Sequence, residues 1–266
     1  MNTDKIVKIF NMAVNFYHNL LYKNRPQYSS QWETLAKWKI EQPEIKNFKI
    51  GYCPETNAFA KYYAEVWEKY PVLKNVCLSL GLLSESPSGL KDALDGSFLF
   101  PCLDEKGTLL DVAIYHPQKG WRFLYPNDTL GTFGLWQVNY CLTDYEMVFL
   151  LPDIPSFFAF NRLLFPTGVN PSLACLKGLN PELWQKLEDL GVGQAIVIAQ
   201  EVPASLDTYI DIVTIPDKGS AIANLKAALP QLQHQRFRRL IEVGLEVMEK
   251  IKEEGRGICD SYYLTR

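Results

Sequence analysis

The chain is 266 residues long, 47% hydrophobic and 21% charged, with a formal net charge of −3 and an isoelectric point near 5.7. That length holds one large domain or two small ones with ample material for a core. The composition reads as a globular protein and, being slightly acidic, excludes a global basic field that would draw nucleic acid, leaving a local patch open.

Apolar residues recur at helical spacing through TDKIVKIFNMAVNFYHNLLYKN (Ile6, Ile9, Phe10, Ala13, Phe16, Leu20, Leu21), which predicts an N-terminal helix. The polar stretch RPQYSS then offers an N-cap for a helix over WETLAKWKI. In EQPEIKNFKI, Pro43 suits a first helical turn, and GYCP closes the unit. Asn57–Tyr70 reads as one amphipathic helix and Val72–Leu82 as another, ending near Gly81. Residues 1–94 are thus expected to form a mainly helical subdomain.

The character changes at Asp95. FLFPCLD and TLLDVAIYH around Glu105-Lys106-Gly107 predict a β-hairpin, and WRFLYP a further strand, giving a β-rich connector over residues 95–143. Residues 144–225 alternate strand and helix: VFLLP, SFFAFNRLLF, PSLACLKG, NPELWQKLEDLG, QAIVIAQE, YIDIVTIPD. Such alternation predicts a small parallel or mixed sheet covered on both faces. Ser220–Glu253 reads as helical, so residues 226–266 form a C-terminal helical segment. The fold class is α/β (α+β).

Six cysteines (Cys53, Cys77, Cys102, Cys141, Cys175, Cys259) and three histidines (His18, His116, His234) are scattered without a CxxC pair. That spacing gives no local zinc signature, and free, mostly buried thiols in a reducing cytosol are expected. Met1–Lys8 lacks the apolar core of a signal peptide, and no apolar run reaches the roughly 20 residues of a membrane span. A cytoplasmic protein without membrane contact is expected. Neither GxxxxGK[ST] nor GxSxG occurs, and Gly191-Val192-Gly193 reads as a turn before a strand. HQRFRRL (His234–Leu240) carries Arg236, Arg238 and Arg239, either a solvated helix face or a contact for phosphates or an acidic partner.

WETLAKWKIEQPEIKNFKIGYCP (Trp32–Pro54) resembles the helix-turn-helix-"IGYAP" segment of the DnaG-type bacterial primase catalytic core. GSFLFPCLDEKGTLLDVAIYHPQKGWRFLYPNDTLGTFGL (Gly96–Leu135) is similar to that family's "GRVMFPIRDRRGRVIGFGGR…PKYLNSPET…YGL". The segment from VFLLPDIPSFFAFNRLLF through QAIVIAQEVPAS follows the order and spacing of its Toprim fold. The resemblance runs over roughly Val14–Leu225, without counterparts to the family's zinc-binding module and helicase-binding tail.

It implies a Toprim-like domain over residues 144–225 and a site where acidic clusters hold divalent metal at three strand ends. Mg²⁺ is a hard cation that takes carboxylate oxygens, and two-metal phosphoryl transfer needs several converging. At the matched positions this chain has Pro152 and Ser156, Gln200 and Val202, and Ser220, Ala221 and Ile222. None carries a carboxylate. Slippage by one residue would offer Asp153 and Glu201, with Asp217 near the third corner, but a one-residue slip turns a strand side chain to the opposite face. The resemblance also puts Ser97 and Tyr115 where the family has arginines, while Arg122, near Lys119, stands where it has a lysine.

Three functions follow as expectations. The first is a catalytically degenerate primase-like protein, a non-enzymatic component of a replication, mobile-element or defence system. It would need no cofactor and would bind single-stranded or primer-template nucleic acid or a protein partner of that assembly. The second is an active primase, nucleotidyl transferase or nuclease using Mg²⁺ or Mn²⁺ on Asp153, Glu201 and Asp217. The third is a protein-only adaptor, which the acidic isoelectric point favours.

Overall fold

A computed structural model describes residues 3–125, 130–136, 146–164, 171–199 and 208–253. The chain divides into two compact units, Met1–Phe133 and Gly134–Arg266.

In the first unit, α1 (Thr3–Lys23) buries Ile6, Ile9, Phe10, Ala13, Val14, Tyr17 and Leu21, the stripe that its sequence spacing predicts. It lies on an antiparallel sheet of order β1-β4-β5-β6, built from β1 (Gly51–Cys53), β4 (Ser97–Leu103), β5 (Leu109–His116) and β6 (Gly120–Phe123). Gly51 makes that contact possible, because a Cβ there would sit 2.9 Å from the backbone of Tyr17 and His18. The β4–β5 hairpin turns as expected, with the Asp104 carboxylate accepting the amides of Lys106 and Thr108 at 2.9 and 2.7 Å.

Two helices end alike. After α2 (Ser29–Lys37) comes Trp38, then Lys39 at φ 63°, and the Ile40 amide donates back to the Leu35 carbonyl at 3.0 Å. After α3 (Gln42–Asn47) come Phe48, Lys49 at φ 50°, and Ile50 donating to Ile45 at 3.1 Å. Each left-handed residue closes a Schellman-type cap and drops a fully buried isoleucine into the core. Pro43 stands in the first turn of α3, as its sequence suggests.

Three expectations need correction. The serines of RPQYSS do not cap α2; the helix starts at Ser29, behind Tyr28, without a side-chain cap. The single helix expected over Asn57–Tyr70 is two, α4 (Ala58–Tyr62) and α5 (Ala64–Lys69), broken at Tyr63. The break lets Phe16, Phe59, Tyr63 and Trp67 meet ring to ring. After α6 (Pro71–Ser79), the stretch to residue 94 carries an antiparallel hairpin of β2 (Leu83–Ser86) and β3 (Gly89–Asp92), its turn using Gly89 at φ 108°. A short strand, β7 (Thr132–Phe133), closes the unit.

The second unit keeps the alternation read from sequence. Strands β8 (Met147–Leu151), β9 (Ser172–Cys175), β10 (Gln194–Ala199) and β11 (Asp211–Pro216) lie parallel in the order β11-β10-β8-β9. All five residues of β8 are buried, as a central strand of a parallel sheet requires. Helices α7 (Ile154–Leu164) and α8 (Pro181–Asp189) follow β8 and β9. The last helical segment is not continuous. Pro230 cannot donate an amide, so α9 (Ala221–Ala228) gives way to a 3-10 turn, Leu229–Gln231, before α10 (Gln235–Glu253). Cys53, Cys77, Cys102 and Cys175 are free and buried, as expected; Cys141 and Cys259 lie outside the described residues. Among the described residues no helix is long and apolar enough to cross a membrane.

Candidate functional site

The carboxyl end of a parallel strand followed by a helix is where α/β sheets place ligands. At the end of β8, Pro152 and Ser156 bring no charge, and Asp153 is the one carboxylate. Its Oδ1 accepts the Ser156 amide at 2.7 Å and its carbonyl accepts the Phe157 amide at 3.1 Å. Asp153 therefore caps the first turn of α7.

Beyond β11 the arrangement is also local. Asp217 Oδ1 accepts the Gly219 amide and the Asn224 side-chain amide, both at 2.9 Å, while Asn224 Oδ1 accepts the Lys218 amide at 2.7 Å. Ser220 Oγ accepts the Ala223 amide at 3.3 Å and caps α9, with Ala221 and Ile222 in its first turn. Gln200, Glu201 and Val202 lie outside the described residues. Asp153 and Asp217 join no group of three metal-competent side chains among the described residues.

The described residues contain one such group, and it lies in the first unit. Ligand atoms of Cys53, Asp92 and Asp95 fall within 4.8 Å of one another. Asp92, 2% exposed, accepts the Phe59 amide on Oδ2 at 3.0 Å and the Ala60 amide on Oδ1 at 2.7 Å; Cys53 Sγ donates to Oδ2 at 3.7 Å. Burial first, then Asp92 and Asp95, pushes the Cys53 thiol well above its ordinary range. Burial, Asp92 and Glu55 also raise Asp95, against the lowering pull of Lys91 and Lys119. A metal needs thiolate and free carboxylate lone pairs. Here burial disfavours the thiolate a metal would take, and each Asp92 oxygen already accepts a backbone amide. The arrangement therefore fits an anchor that ties β3 and β1 to the start of α4. Cys53 and Asp92 stand far apart in sequence with no motif between them, so only the tertiary fold brings them together.

The basic residues fall into two sets. Lys119 is exposed in the β5–β6 turn. Arg122 lies on β6, within the strand expected over WRFLYP, opposite Ile114, and its Nη2 donates to the Ala93 carbonyl at 3.1 Å. Arg236, Arg238 and Arg239 are exposed in the first turns of α10, above the buried Phe237. Glu242 pairs with Arg238 at 3.3 Å and Arg239 at 3.4 Å. No acidic residue stands in the first turn of α10, so these cations face the positive end of the helix dipole.

The histidines bond to backbone, His116 and His234 locally and His18 to a segment remote in the chain. His18 Nδ1 meets the Ile50 carbonyl at 3.0 Å, while His116 Nδ1 accepts the Gln118 amide at 3.1 Å and His234 Nδ1 accepts the Phe237 amide at 3.2 Å. Sequence reading missed the polar knot at the amino end of the parallel sheet. There buried Gln194 donates to Asp211 at 3.1 Å and to the Gln231 carbonyl at 3.0 Å, while its Oε1 accepts the Gln233 amide at 3.2 Å. It braces strand starts, opposite the end where ligands bind.

No protein-family model matches the sequence, and no curated protein matches it. Solved structures do match in fold. The RNA polymerase domain of Mycobacterium tuberculosis primase DnaG, in complex with double-stranded DNA, aligns with a TM-score of 0.66 at 12% identity, over 91% of this chain and 81% of that one. The E. coli primase catalytic core aligns at 0.64 and 15% identity, over 89% and 79% of the two chains. A DnaG primase catalytic domain bound to single-stranded DNA aligns at 0.62 and 15% identity, over 90% and 81%. The chain therefore has the fold of a bacterial primase catalytic core, as its sequence motifs imply.

Proposed function

We propose that this protein is a non-enzymatic, nucleic-acid-binding component of a DNA-associated assembly, built on a primase-core fold whose metal site is lost. One observation carries the reading. At the end of β8, where the fold would hold a metal-binding carboxylate, stands Pro152, and the neighbouring Asp153 is committed to capping α7. The end of β11 supports it in the same way, with Asp217 bound to Gly219 and Asn224. Structural neighbours are primase domains solved with single-stranded or double-stranded DNA, which favours single-stranded or primer-template nucleic acid as the ligand here. Lys119, Arg122, Arg236, Arg238 and Arg239 are the candidate phosphate contacts. The three α10 arginines occupy a helix start that disfavours cations, a placement that an anionic partner would offset.

The test is a primer-synthesis assay beside a binding assay. Single-stranded template, nucleotides and Mg²⁺ or Mn²⁺ should give no incorporation, while the same template binds with salt-sensitive affinity weakened by neutralising Arg236, Arg238 and Arg239. Metal-dependent incorporation lost in Asp153→Ala or Glu201→Ala would establish the enzyme instead, with those residues and Asp217 as its ligands. Absence of binding at low salt would leave a protein-only adaptor.

A further inference from the structure

The sheet of the first unit has two unlike faces. Gly51, Leu99, Ile114 and Val112 belong to the face that packs on α1, and they are small or aliphatic. On the other face one cross-strand row is aromatic in all four strands. Tyr52 of β1 pairs with Phe98 of β4, Phe98 with Tyr115 of β5, and Tyr115 with Trp121 of β6. Rings meet at the two ends of the row, Tyr52 to Phe98 at 5.1 Å between centroids and Tyr115 to Trp121 at 5.0 Å. Trp38, from the end of α2, lies edge-on to Tyr115 at 4.7 Å and stacks toward Trp121 at 6.2 Å, with ring planes 28° apart.

Exposure varies along the row, and Tyr52 at the β1 end is half-buried. Phe98 is buried, Tyr115 and Trp38 are half-buried, and Trp121 on the edge strand is 36% exposed. Trp121 packs on Trp38, Phe100 and Tyr115 yet still presents part of its ring to water. Exposed lysines are close in sequence: Lys37 and Lys39 adjoin Trp38 along the chain, and Lys119 comes two residues before Trp121.

We infer that the Tyr115, Trp38 and Trp121 end of this aromatic row is a stacking site for the unpaired bases of a single-stranded nucleic acid, with Lys37, Lys39 and Lys119 beside it for the phosphates. The inference rests on the nucleic-acid reading above and gives it a surface. Flat rings beside cations suit a strand whose bases are free, because every base offers a π-face and every nucleotide a charge. A duplex hides its bases in the stack.

The experiment titrates the full chain with fluorescein-labelled oligothymidylate and with an abasic strand of equal length at low salt, following anisotropy and tryptophan fluorescence. The wild-type protein should prefer the strand with bases, with quenched tryptophan emission. Trp121→Ala should weaken oligothymidylate binding by roughly 5- to 150-fold, the worth of one base stacked on an aromatic ring, and leave the abasic strand unchanged. Trp121→Phe, which preserves a ring and the fold, should retain most of the preference. Replacing Lys37 and Lys39 together should weaken both strands alike and flatten the salt dependence. Equal binding of the two strands by the wild-type protein, or wild-type affinity in Trp121→Ala, would overturn the stacking site while leaving nucleic-acid binding intact. Failure to bind either strand would overturn both.

Discussion

Two sets of carboxylates, one in each unit, work in opposite ways. In the first, Asp92 and Asp95 are crowded beside Cys53, and Asp92 is removed from water to hold two amides of another element. In the second, Asp153 and Asp217 each bond within a few residues of themselves. A buried anchor bridges sequence-distant segments, and its loss strands donors in the core. A local cap satisfies one helix start or turn that water can reach. The acidic groups of this protein therefore grade by how far apart in sequence their partners lie.

Four experiments probe that contrast. Asp92→Ala should cost the most, about 3 kcal/mol in denaturant unfolding, because it leaves the Phe59 and Ala60 amides buried without acceptors. Asn224→Ala should cost about 2 kcal/mol, since buried Asn224 both receives the Lys218 amide and steadies Asp217. Asp153→Ala should cost about 1 kcal/mol, the ordinary worth of an N-cap, and Asp153→Asn almost nothing, because asparagine caps as well. A cost for Asp153→Ala as large as that for Asp92→Ala would erase the distinction.

The fourth concerns pH. Burial and the neighbouring Asp92 and Glu55 raise Asp95 above the ordinary carboxylate range. Its ionisation therefore costs the folded state more than the unfolded one. That cost is absent below about pH 4 and grows as pH rises through the raised value. Asp95→Asn should stabilise the protein near neutral pH and lose the advantage in acid. Thermal melts across that range would check it, and an advantage independent of pH would argue that Asp95 matters by shape alone.

Much of the fold was legible in the chain because it is written in local periodicity. The helical stripe from Ile6 to Leu21, the hairpin about Asp104–Thr108 and the alternation after residue 144 are each set by near neighbours and turn chemistry. What failed was also local in kind. Tyr63 breaks a helix whose amphipathic spacing runs on without interruption, and the break serves ring packing with Phe16, Phe59 and Trp67. The strand-end residues at Pro152, Ser156 and Ser220 were readable by their order along the chain, but that Asp153 and Asp217 are engaged in caps and turns needed hydrogen-bond geometry.

The sequence alone determined most of the order of elements and which residue types stand at the strand ends, because periodicity, turn residues and motif spacing are properties of the chain. Only the tertiary structure decided which distant side chains share a place. Cys53 meets Asp92 of a separate hairpin, while Tyr52, Phe98, Tyr115 and Trp121 line up across four strands through strand register. Register is fixed by pairing between segments remote in the chain, and a one-residue shift in any strand would turn its ring to the opposite face.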